Sequence, residues 1–249
     1  MNYPQLSVQL YTVREAMLED LPGTLQRIAD LGFTQVEPYN FAGFEGLGAG
    51  LAAAGLAAPT AHGHFIGESD AELERVFGIA KDLGIATAID PFTAPERWET
   101  AESIGQIADQ LNAAAAIAAK YGVVVGYHNH AHELKSVIDG VTGIEIFAGK
   151  LAPEVVLEID TYWVAVGGQD PVELLKRLGN KVVAIHVKDG PATTETKDQV
   201  AVGSGSLPIA DIIAAAPTAL RVIELDDSRG DRFQAVADSY AYLVKENLA

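Results

Sequence analysis

Short apolar runs alternate with longer segments of helical periodicity eight times along this chain, and that repeat constrains the fold more than any other feature. The runs are nearly continuous in Val, Ile, Leu and Ala, which is typical of parallel strands covered on both faces. Eight consecutive strand–helix units without a linker predict an α/β fold, a single (β/α)8 TIM barrel that spans residues 1–249 as one domain. The predicted strands are residues 6–11, 34–39, 56–62, 85–90, 123–128, 155–160, 182–188 and 221–226.

The segments between the strands have the periodicity and the termini of helices. Several end on glycine just before the next strand, as in DLGF, DLGI, KYGV and RLGN, which is a common C-terminal cap of a helix. A doubly wound sheet is the structural alternative, but it would carry a glycine-rich phosphate loop after the first strand, and QLYTVREAM contains no glycine. The predicted helices are residues 21–31, 44–54, 69–83, 99–121, 141–151, 170–178, 207–216 and 233–247.

The composition excludes several classes of protein. A net charge of −17 with only 17 basic residues argues against binding nucleic acid or an anionic membrane, because phosphate neutralisation needs clustered Lys and Arg. The chain has no cysteine, which excludes disulfides, thiol catalysis and thiolate metal ligands. No apolar run approaches the length of a membrane span, and the start MNYPQLSVQL lacks the pattern of a secretory signal, so we expect a cytoplasmic protein.

Polar residues gather where the predicted strands end. The active site of a (β/α)8 barrel lies at the carboxyl ends of its strands, so these positions carry functional weight. All six histidines follow a strand end, including the three of GYHNHAHE at 126–133. We expect His64 and His132 on solvent-facing loops. The other strand-end residues are Gln9, Tyr11, Glu37, His62, His128, His130, Asp160, His186, Lys188, Glu224 and Asp226.

Four successive strands, the fifth to the eighth, each end in a side chain that can bind a metal: His128, Asp160, His186 and Glu224. Neighbouring strands lie about 4.8 Å apart, so four such ends can converge on one ion. Two imidazoles and two carboxylates suit Mn, Co, Fe or Zn better than Mg or Ca. Each residue alone could equally be a buried polar group satisfied by its neighbours, but the four together favour one divalent metal ion.

The ordered motifs SVQLYTVRE, GFTQVEPYNF, YHNH, EIDTYWVAVGGQDP, HVKDG and VIELDDS resemble those of the sugar-phosphate isomerase/epimerase family, the xylose isomerase-like TIM barrels. The resemblance spans nearly the whole chain, and it implies one divalent ion held by Glu, Asp, His and Glu from strands five to eight. Asp160, His186 and Glu224 match the last three positions. At the first position His128 stands where the family commonly has glutamate. The YHNH segment is similar to keto-sugar-processing and inosose dehydratase-like members.

The resemblance also implies a reaction. In this family the ion acts as a Lewis acid on a keto-sugar, and a nearby base removes the proton next to the carbonyl to give an enediolate. A metal-bound imidazole has no free lone pair, so His128 breaks the symmetry of a two-glutamate epimerase. The remaining acid–base candidates are Glu224, Glu133, Lys188, His62 and, if it is not a ligand, His130. Lys188 could equally be a salt-bridge lysine, and His62 a hydrogen-bonded core histidine.

Other side chains near the strand ends are candidates for binding a sugar-sized substrate. They are Gln9, Tyr11, Glu37, His130 and Trp163. Arg14 and Arg229 could hold a phosphate, but no glycine-rich nest directly follows the seventh strand. We interpret VGSGSLP at 202–208 as a flexible return segment, so an unphosphorylated substrate is favoured.

These observations favour a metal-dependent sugar isomerase or epimerase acting on a keto-sugar or related polyol. A dehydratase or lyase of an inosose or 3-keto-glycoside uses the same proton abstraction and is an alternative, as is a non-catalytic sugar-binding barrel. The abasic-site endonuclease with this barrel needs three zinc ions and further histidines after strands four, six and seven. Asp90 and Trp163 stand near two of those points and no histidine follows His186, which argues against a nuclease. A homo-oligomer is left open.

Overall fold

Parallel strands form the barrel that the repeat predicts. The computed structural model of the protein describes residues 6–249. Within this range, seven strands form one parallel sheet, and two short strands form a separate antiparallel hairpin. The sheet strands are β1 (Leu6–Val8), β2 (Thr60–His62), β3 (Thr87–Asp90), β4 (Val124–His128), β7 (Val156–Asp160), β8 (Val182–Val187) and β9 (Leu220–Ile223), and the hairpin strands are β5 (Val137–Ile138) and β6 (Val141–Thr142).

The second predicted strand connects the two edges of the sheet through isolated bridges. The strand order is β1-β9-β8-β7-β4-β3-β2, which leaves β1 and β2 at the edges. Between them Gln9 pairs with Glu37, and Gln35 pairs with Ala57, both in parallel register. Pro38 has no N–H to donate, which limits further pairing of this segment. The predicted (β/α)8 barrel is confirmed, with its second strand reduced to two bridges.

Helices follow the strands and cover the outside of the barrel. They are α1 (Arg14–Glu19), α2 (Leu21–Asp30), α3 (Leu47–Ala54), α4 (Asp70–Asp82), α5 (Ala101–Ala118), α6 (His132–Lys135), α7 (Gly143–Ala148), α8 (Thr161–Val166), α9 (Pro171–Leu178), α10 (Ile209–Ala215) and α11 (Arg232–Lys245). Each of the eight predicted helices is present, whereas α1, α6 and α8 are short helices that the sequence pattern did not indicate. Among residues 6–249, no helix combines the length and the apolar character needed to cross a bilayer.

Apolar side chains at helical spacing attach α5 to the rest of the molecule. Its fully buried stripe comprises Ile104, Ile107, Ala108, Leu111, Ala114 and Ala118. Through this face α5 contacts α4, α7 and β4. Burying one large aliphatic side chain contributes about 1.5–3 kcal/mol, so the stripe stabilises the position of α5 strongly. The alanine-rich end of this helix therefore packs within the chain.

The glycines predicted to end helices adopt the conformation that this role requires. Gly32, Gly84, Gly122 and Gly179 have φ angles between 56° and 106°. Other residues pay a steric cost in this left-handed region because their Cβ atoms approach the backbone. Each glycine can therefore turn the chain from a helix toward the next strand.

A buried aspartate organises the long loop after β8. Asp189 Oδ1 accepts hydrogen bonds from the N–H groups of Gly190 and Leu207, and its Oδ2 accepts from Gly203 and Gly205. A Cβ at Gly205 would lie 2.1 Å from Asp189 Oδ1, so this approach requires glycine. The segment interpreted from sequence as flexible is thus fixed to the end of β8.

Replacing Asp189 with asparagine should lower the free energy of unfolding by about 2–4 kcal/mol. The amide would remove the charge that strengthens four backbone hydrogen bonds and would turn an NH2 group toward two N–H donors. Urea unfolding of D189N and of D109N measures the effect, since Asp109 is exposed on α5. Equal stabilities of the two variants would contradict the role given to Asp189.

Candidate metal centre

The four metal ligands expected from the sequence come together inside the carboxyl end of the barrel. His128 and Asp160 are the last residues of β4 and β7, His186 lies in β8, and Glu224 directly follows β9. All four are buried. Each offers one ligand atom, and these atoms lie within 4.8 Å of one another. We refer to these four residues as the outer set.

Glu158 lies one layer deeper in the barrel and contacts three histidines. Its Oε2 atom is 2.6 Å from His62 Nε2, 3.0 Å from His128 Nδ1 and 3.1 Å from His186 Nε2. This residue was not among the candidates indicated by the sequence. It lies two positions before Asp160 in a strand, so strand alternation places both on one face and could have identified it.

Glu37 is the second carboxylate of this deeper layer. Its Oε1 atom accepts a hydrogen bond from Gln9 Nε2 at 2.8 Å and lies 2.7 Å from His186 Nε2 and 3.2 Å from His62 Nε2. Glu37 and Gln9 are fully buried. We refer to Glu37 and Glu158 as the inner carboxylates. Gln9 and Glu37, expected to bind substrate, thus lie within this layer.

The two ring nitrogens of His128 and of His186 face different layers. His128 Nδ1 contacts Glu158, while its Nε2 lies 3.8 Å from Asp160 Oδ2. His186 Nε2 contacts Glu37, while its Nδ1 lies 2.7 Å from Glu224 Oε2. Metal-binding histidines commonly donate their second N–H to a carboxylate, which fixes the tautomer and the ring orientation. The inner carboxylates have this relation to the outer set.

A second group of possible ligands, His62, His128, Glu158 and His186, also lies within 4.8 Å. In this group three imidazole nitrogens already converge on the single atom Glu158 Oε2. The outer set fits a divalent ion better. Among the residues that the structure describes, Asp160 Oδ2 has no hydrogen-bond partner, although Lys188 Nζ lies 2.9 Å from it and His128 Nε2 lies 3.8 Å from it.

Burial and charge separate the protonation states of the histidines. Burial lowers the pKa of His62, but attraction to Glu37 and Glu158 outweighs burial and raises it to about 10. Burial and repulsion by His186 hold the pKa of His128 well below its ordinary value. His128 is therefore neutral at physiological pH, which is the form that ligates a metal.

The inner carboxylates stay ionised despite complete burial. Burial and Glu37 raise the pKa of Glu158, but attraction to His186 and His62 and the hydrogen bond from His128 lower it to about 2. Burial also raises the pKa of Glu37, but attraction to His62 and His186 outweighs burial and holds this pKa well below its ordinary value. Two buried negative charges are thus stabilised by the surrounding imidazoles.

A cavity of about 360 Å³ lies at the mouth of the barrel, above the outer set. His62, His128 and Glu224 line it from below. Its other lining residues are Tyr11, Tyr39, Asn40, Gly63, His64, Pro91, Phe92, His130 and Asp226. Tyr11 and Phe92 expose 38% and 44% of their surface, so the cavity offers aromatic faces to a ligand. Its volume is within the range of small-molecule sites.

His130 is one of the residues of this cavity wall. Its Nδ1 is buried and has no hydrogen-bond partner among the residues that the structure describes. Burial and the nearby Lys188 lower the pKa of His130 to about 4, so the ring is neutral at physiological pH. Trp163 lies beside it, with ring centroids 6.0 Å apart, and Trp163 Nε1 also lacks a partner within residues 6–249.

Glu133 lies behind His130 and outside the residues that line the mouth cavity. Its Oε2 accepts from the His130 backbone N–H at 2.9 Å, and its Oε1 accepts from the Tyr127 hydroxyl at 2.8 Å. The catalytic role expected for Glu133 stays a prediction, and these contacts make it a positioning group for His130.

The two histidines expected on solvent-facing loops differ. His132 begins α6 and contacts the Thr93 carbonyl at 3.0 Å, whereas the side chain of His64 is 67% exposed.

The fold and the site together define a TIM barrel with His, Asp and Glu side chains grouped at the carboxyl ends of its strands. The model of the xylose isomerase-like TIM barrel family matches residues 25–218. The chain therefore belongs to this family of enzymes, as the sequence motifs indicated.

Individual relatives are similar over different extents. Inosose dehydratase of Geobacillus kaustophilus (strain HTA426) is 31% identical over 124 residues, which cover 45% of this chain and 37% of that protein. The match thus spans little more than a third of the relative. A sugar phosphate isomerase/epimerase from Parabacteroides distasonis ATCC 8503 has a TM-score of 0.85 at 23% identity, covering 98% of this chain and 94% of the other. The IolI protein with a bound zinc atom has a TM-score of 0.71 at 16% identity, covering 97% of each chain. At these identities the structural likeness shows a shared fold.

Glu133 should make stability depend on pH. Burial raises its pKa from 4.5 to about 8, despite hydrogen bonds from Tyr127 and the His130 N–H. The folded state therefore binds this proton more tightly than the unfolded state, and the resulting stability is complete below about pH 4.5 and is lost as pH rises through about 8. Relative to E133Q, which cannot titrate, the wild type should lose about 1.4 kcal/mol per pH unit in this interval.

Urea unfolding of both proteins at three pH values across this interval, with a chelator present, measures the difference. Parallel stability profiles of the wild type and E133Q would contradict a protonated Glu133.

Proposed function

We propose that this chain is a divalent-metal-dependent enzyme that removes a proton next to the carbonyl of a keto-sugar or related polyol, in an isomerisation or epimerisation. The proposal rests on the arrangement of His128 and His186. Each ring has one nitrogen held by an inner carboxylate and the other directed to a carboxylate of the outer set. The zinc atom bound in the similar IolI protein supports a divalent ion. The mixed N2O2 set suits Mn, Co, Fe or Zn better than Mg.

The outer set would hold the ion through His128, Asp160, His186 and Glu224. When bound, the ion supplies Lewis acidity toward a substrate oxygen. The protein supplies the orientation of its own ligands, because Glu37 and Glu158 fix both imidazole rings from below. Lys188, buried beside Asp160 and Glu224, would add positive potential where negative charge develops on the substrate.

Two groups in the cavity wall are placed to move the substrate proton. Glu224 borders the cavity and belongs to the outer set. His130 borders the cavity outside that set, and its neutral ring would accept a proton or a hydrogen bond from a ligand. His62, charged through its pairing with the inner carboxylates, would act as a donor to a substrate oxygen.

The charge of the cavity wall favours an unphosphorylated substrate. Within residues 6–249, no Lys or Arg is among the residues lining the mouth cavity. The two arginines considered for phosphate binding have other partners. Arg14 donates to the carbonyls of Tyr11 and Asp226, and Arg229 pairs with Asp198. Aromatic faces together with His and Asn side chains suit the C–H surfaces and hydroxyl groups of a neutral sugar.

Elimination of water from an inosose is the second candidate reaction. It is favoured by the 31% identity to inosose dehydratase, over the part of the chain that matches. Elimination shares the first step with isomerisation, since a proton leaves the carbon next to the carbonyl. The electron pair then forms a carbon–carbon double bond conjugated with the carbonyl and expels the β-hydroxyl, which takes up the abstracted proton from the acceptor and leaves as water. A single proton acceptor such as His130 is sufficient for that step.

Deuterium exchange in D2O tests the proposed chemistry. The wild type should bind one divalent ion per chain and introduce deuterium next to the carbonyl of a ketohexose or an inosose. H130Q should keep the ion but lose exchange by about 10²-fold or more, because a proton acceptor is removed. E224Q should lose both the ion and exchange. The matched control E74Q, exposed on α4, should retain both.

Each outcome of this experiment has a defined meaning. A product that absorbs as an unsaturated ketone would assign elimination, and a rearranged ketose or aldose would assign isomerisation. If the wild type binds no divalent ion, or if E224Q exchanges deuterium at the wild-type rate, the proposed function is wrong.

A further inference from the structure

Lys188 carries a completely buried positive charge at the centre of the site. Its side chain is 1% exposed, and its Nζ lies 2.9 Å from Asp160 Oδ2, 2.6 Å from Glu224 Oε2 and 2.8 Å from Asp226 Oδ2. A buried ammonium is costly unless it is paired, so these three carboxylates determine where it can reside.

Two of these three partners belong to the outer set, and the contacts are made to their ligand-competent oxygens. Glu224 Oε2, which Lys188 contacts, is also the atom 2.7 Å from His186 Nδ1. Asp160 Oδ2, the other contact, is the atom that His128 Nε2 faces. An ion between these imidazoles and carboxylates would therefore bind the same two oxygens as the ammonium.

Asp226 differs from the other two partners because it lies outside both groups of candidate ligands. Gln199, fully buried, holds it in place through two hydrogen bonds of 2.7 Å. Gln199 Nε2 donates to Asp226 Oδ2, and the Asp226 N–H donates to Gln199 Oε1. Gln199 lies in the loop that Asp189 fixes, so Asp226 is a rigid partner for Lys188 that a metal ion would not occupy.

We propose that Lys188 competes with the divalent ion for Asp160 and Glu224 and sets the ion affinity by retreating onto Asp226. The inference rests on the outer set of the proposed function. Binding of the ion requires Lys188 to give up two of its three contacts, because like charges a few ångströms apart repel strongly in a buried site. Asp226 makes that exchange feasible by keeping the ammonium paired.

A double-mutant cycle tests the competition with Mn²⁺ alone, its free concentration followed by electron paramagnetic resonance. K188M should lower the Kd for Mn²⁺ by about tenfold or more. A tenfold change in Kd corresponds to only about 1.4 kcal/mol of binding free energy. D226N should raise the Kd by a similar factor, because Lys188 is left with the two ligand carboxylates. In the double variant the effect of D226N should vanish, so its Kd should match that of K188M.

The cycle separates competition from a general change in charge. If Asp226 acted only through its charge on the ion, D226N would weaken binding by the same factor in both backgrounds, and that additive result would overturn the proposal. An unchanged Kd in K188M would also overturn it. K176M, which removes an exposed lysine on α9, controls for net charge and should leave the Kd unchanged.

Two further measurements test the competition even if K188M does not fold. K188Q keeps a polar group at this position and should also bind Mn²⁺ more tightly than the wild type. In Mn²⁺-loaded wild-type crystals, Lys188 Nζ should remain on Asp226 and move beyond about 4 Å from Asp160 and Glu224. An ammonium that stays on all three carboxylates beside the ion would overturn the proposal. If neither the wild type nor any of D226N, K188M and K188Q binds an ion, both the competition and the proposed function are wrong. If all four proteins bind the ion equally, the competition is wrong and the proposed function stands.

Discussion

The contact of three imidazoles with two buried carboxylates is the interaction on which the site depends. Glu37 and Glu158 lie inside the barrel, where an unpaired charge would be strongly destabilising. His62, His128 and His186 approach them from three different strands. The network therefore joins β2, β4, β7, β8 and the bridging segment that contains Glu37. It also determines which nitrogen of His128 and His186 remains for the outer set.

The candidate site at the carboxyl end of the barrel is built in successive layers of side chains. Above the inner carboxylates lie the outer set and Lys188, and above these lies a cavity that aromatic side chains and His130 line. In the proposed function, His128 stands where the resemblance implies glutamate and would give the site two imidazole ligands, and a neutral His128 suits that role. With histidine at this position, the proposed reaction lacks a second glutamate opposite Glu224, so we infer proton transfer from one side, as in isomerisation or elimination, rather than between two glutamates.

Much of this architecture could be predicted from the sequence, because the barrel repeats one pattern. The apolar runs indicated the strands, and the glycines indicated the ends of the helices. The outer set followed from residues at successive strand ends. Glu158 was missed although strand alternation places it beside Asp160. Gln199 could not be found by any such rule, since a loop of irregular structure brings it to Asp226. The short helices α1, α6 and α8 escaped prediction because tertiary position, more than periodicity, stabilises so few residues.

Anomalous scattering from crystals loaded with Mn²⁺ or Zn²⁺ tests the central claim most directly. The ion should be bound by His128 Nε2, His186 Nδ1, Asp160 and Glu224, with His128 Nδ1 still hydrogen-bonded to Glu158 and His186 Nε2 still bonded to Glu37. An ion bound instead by His62 and Glu158 would show that the inner carboxylates are ligands themselves, and would contradict the account.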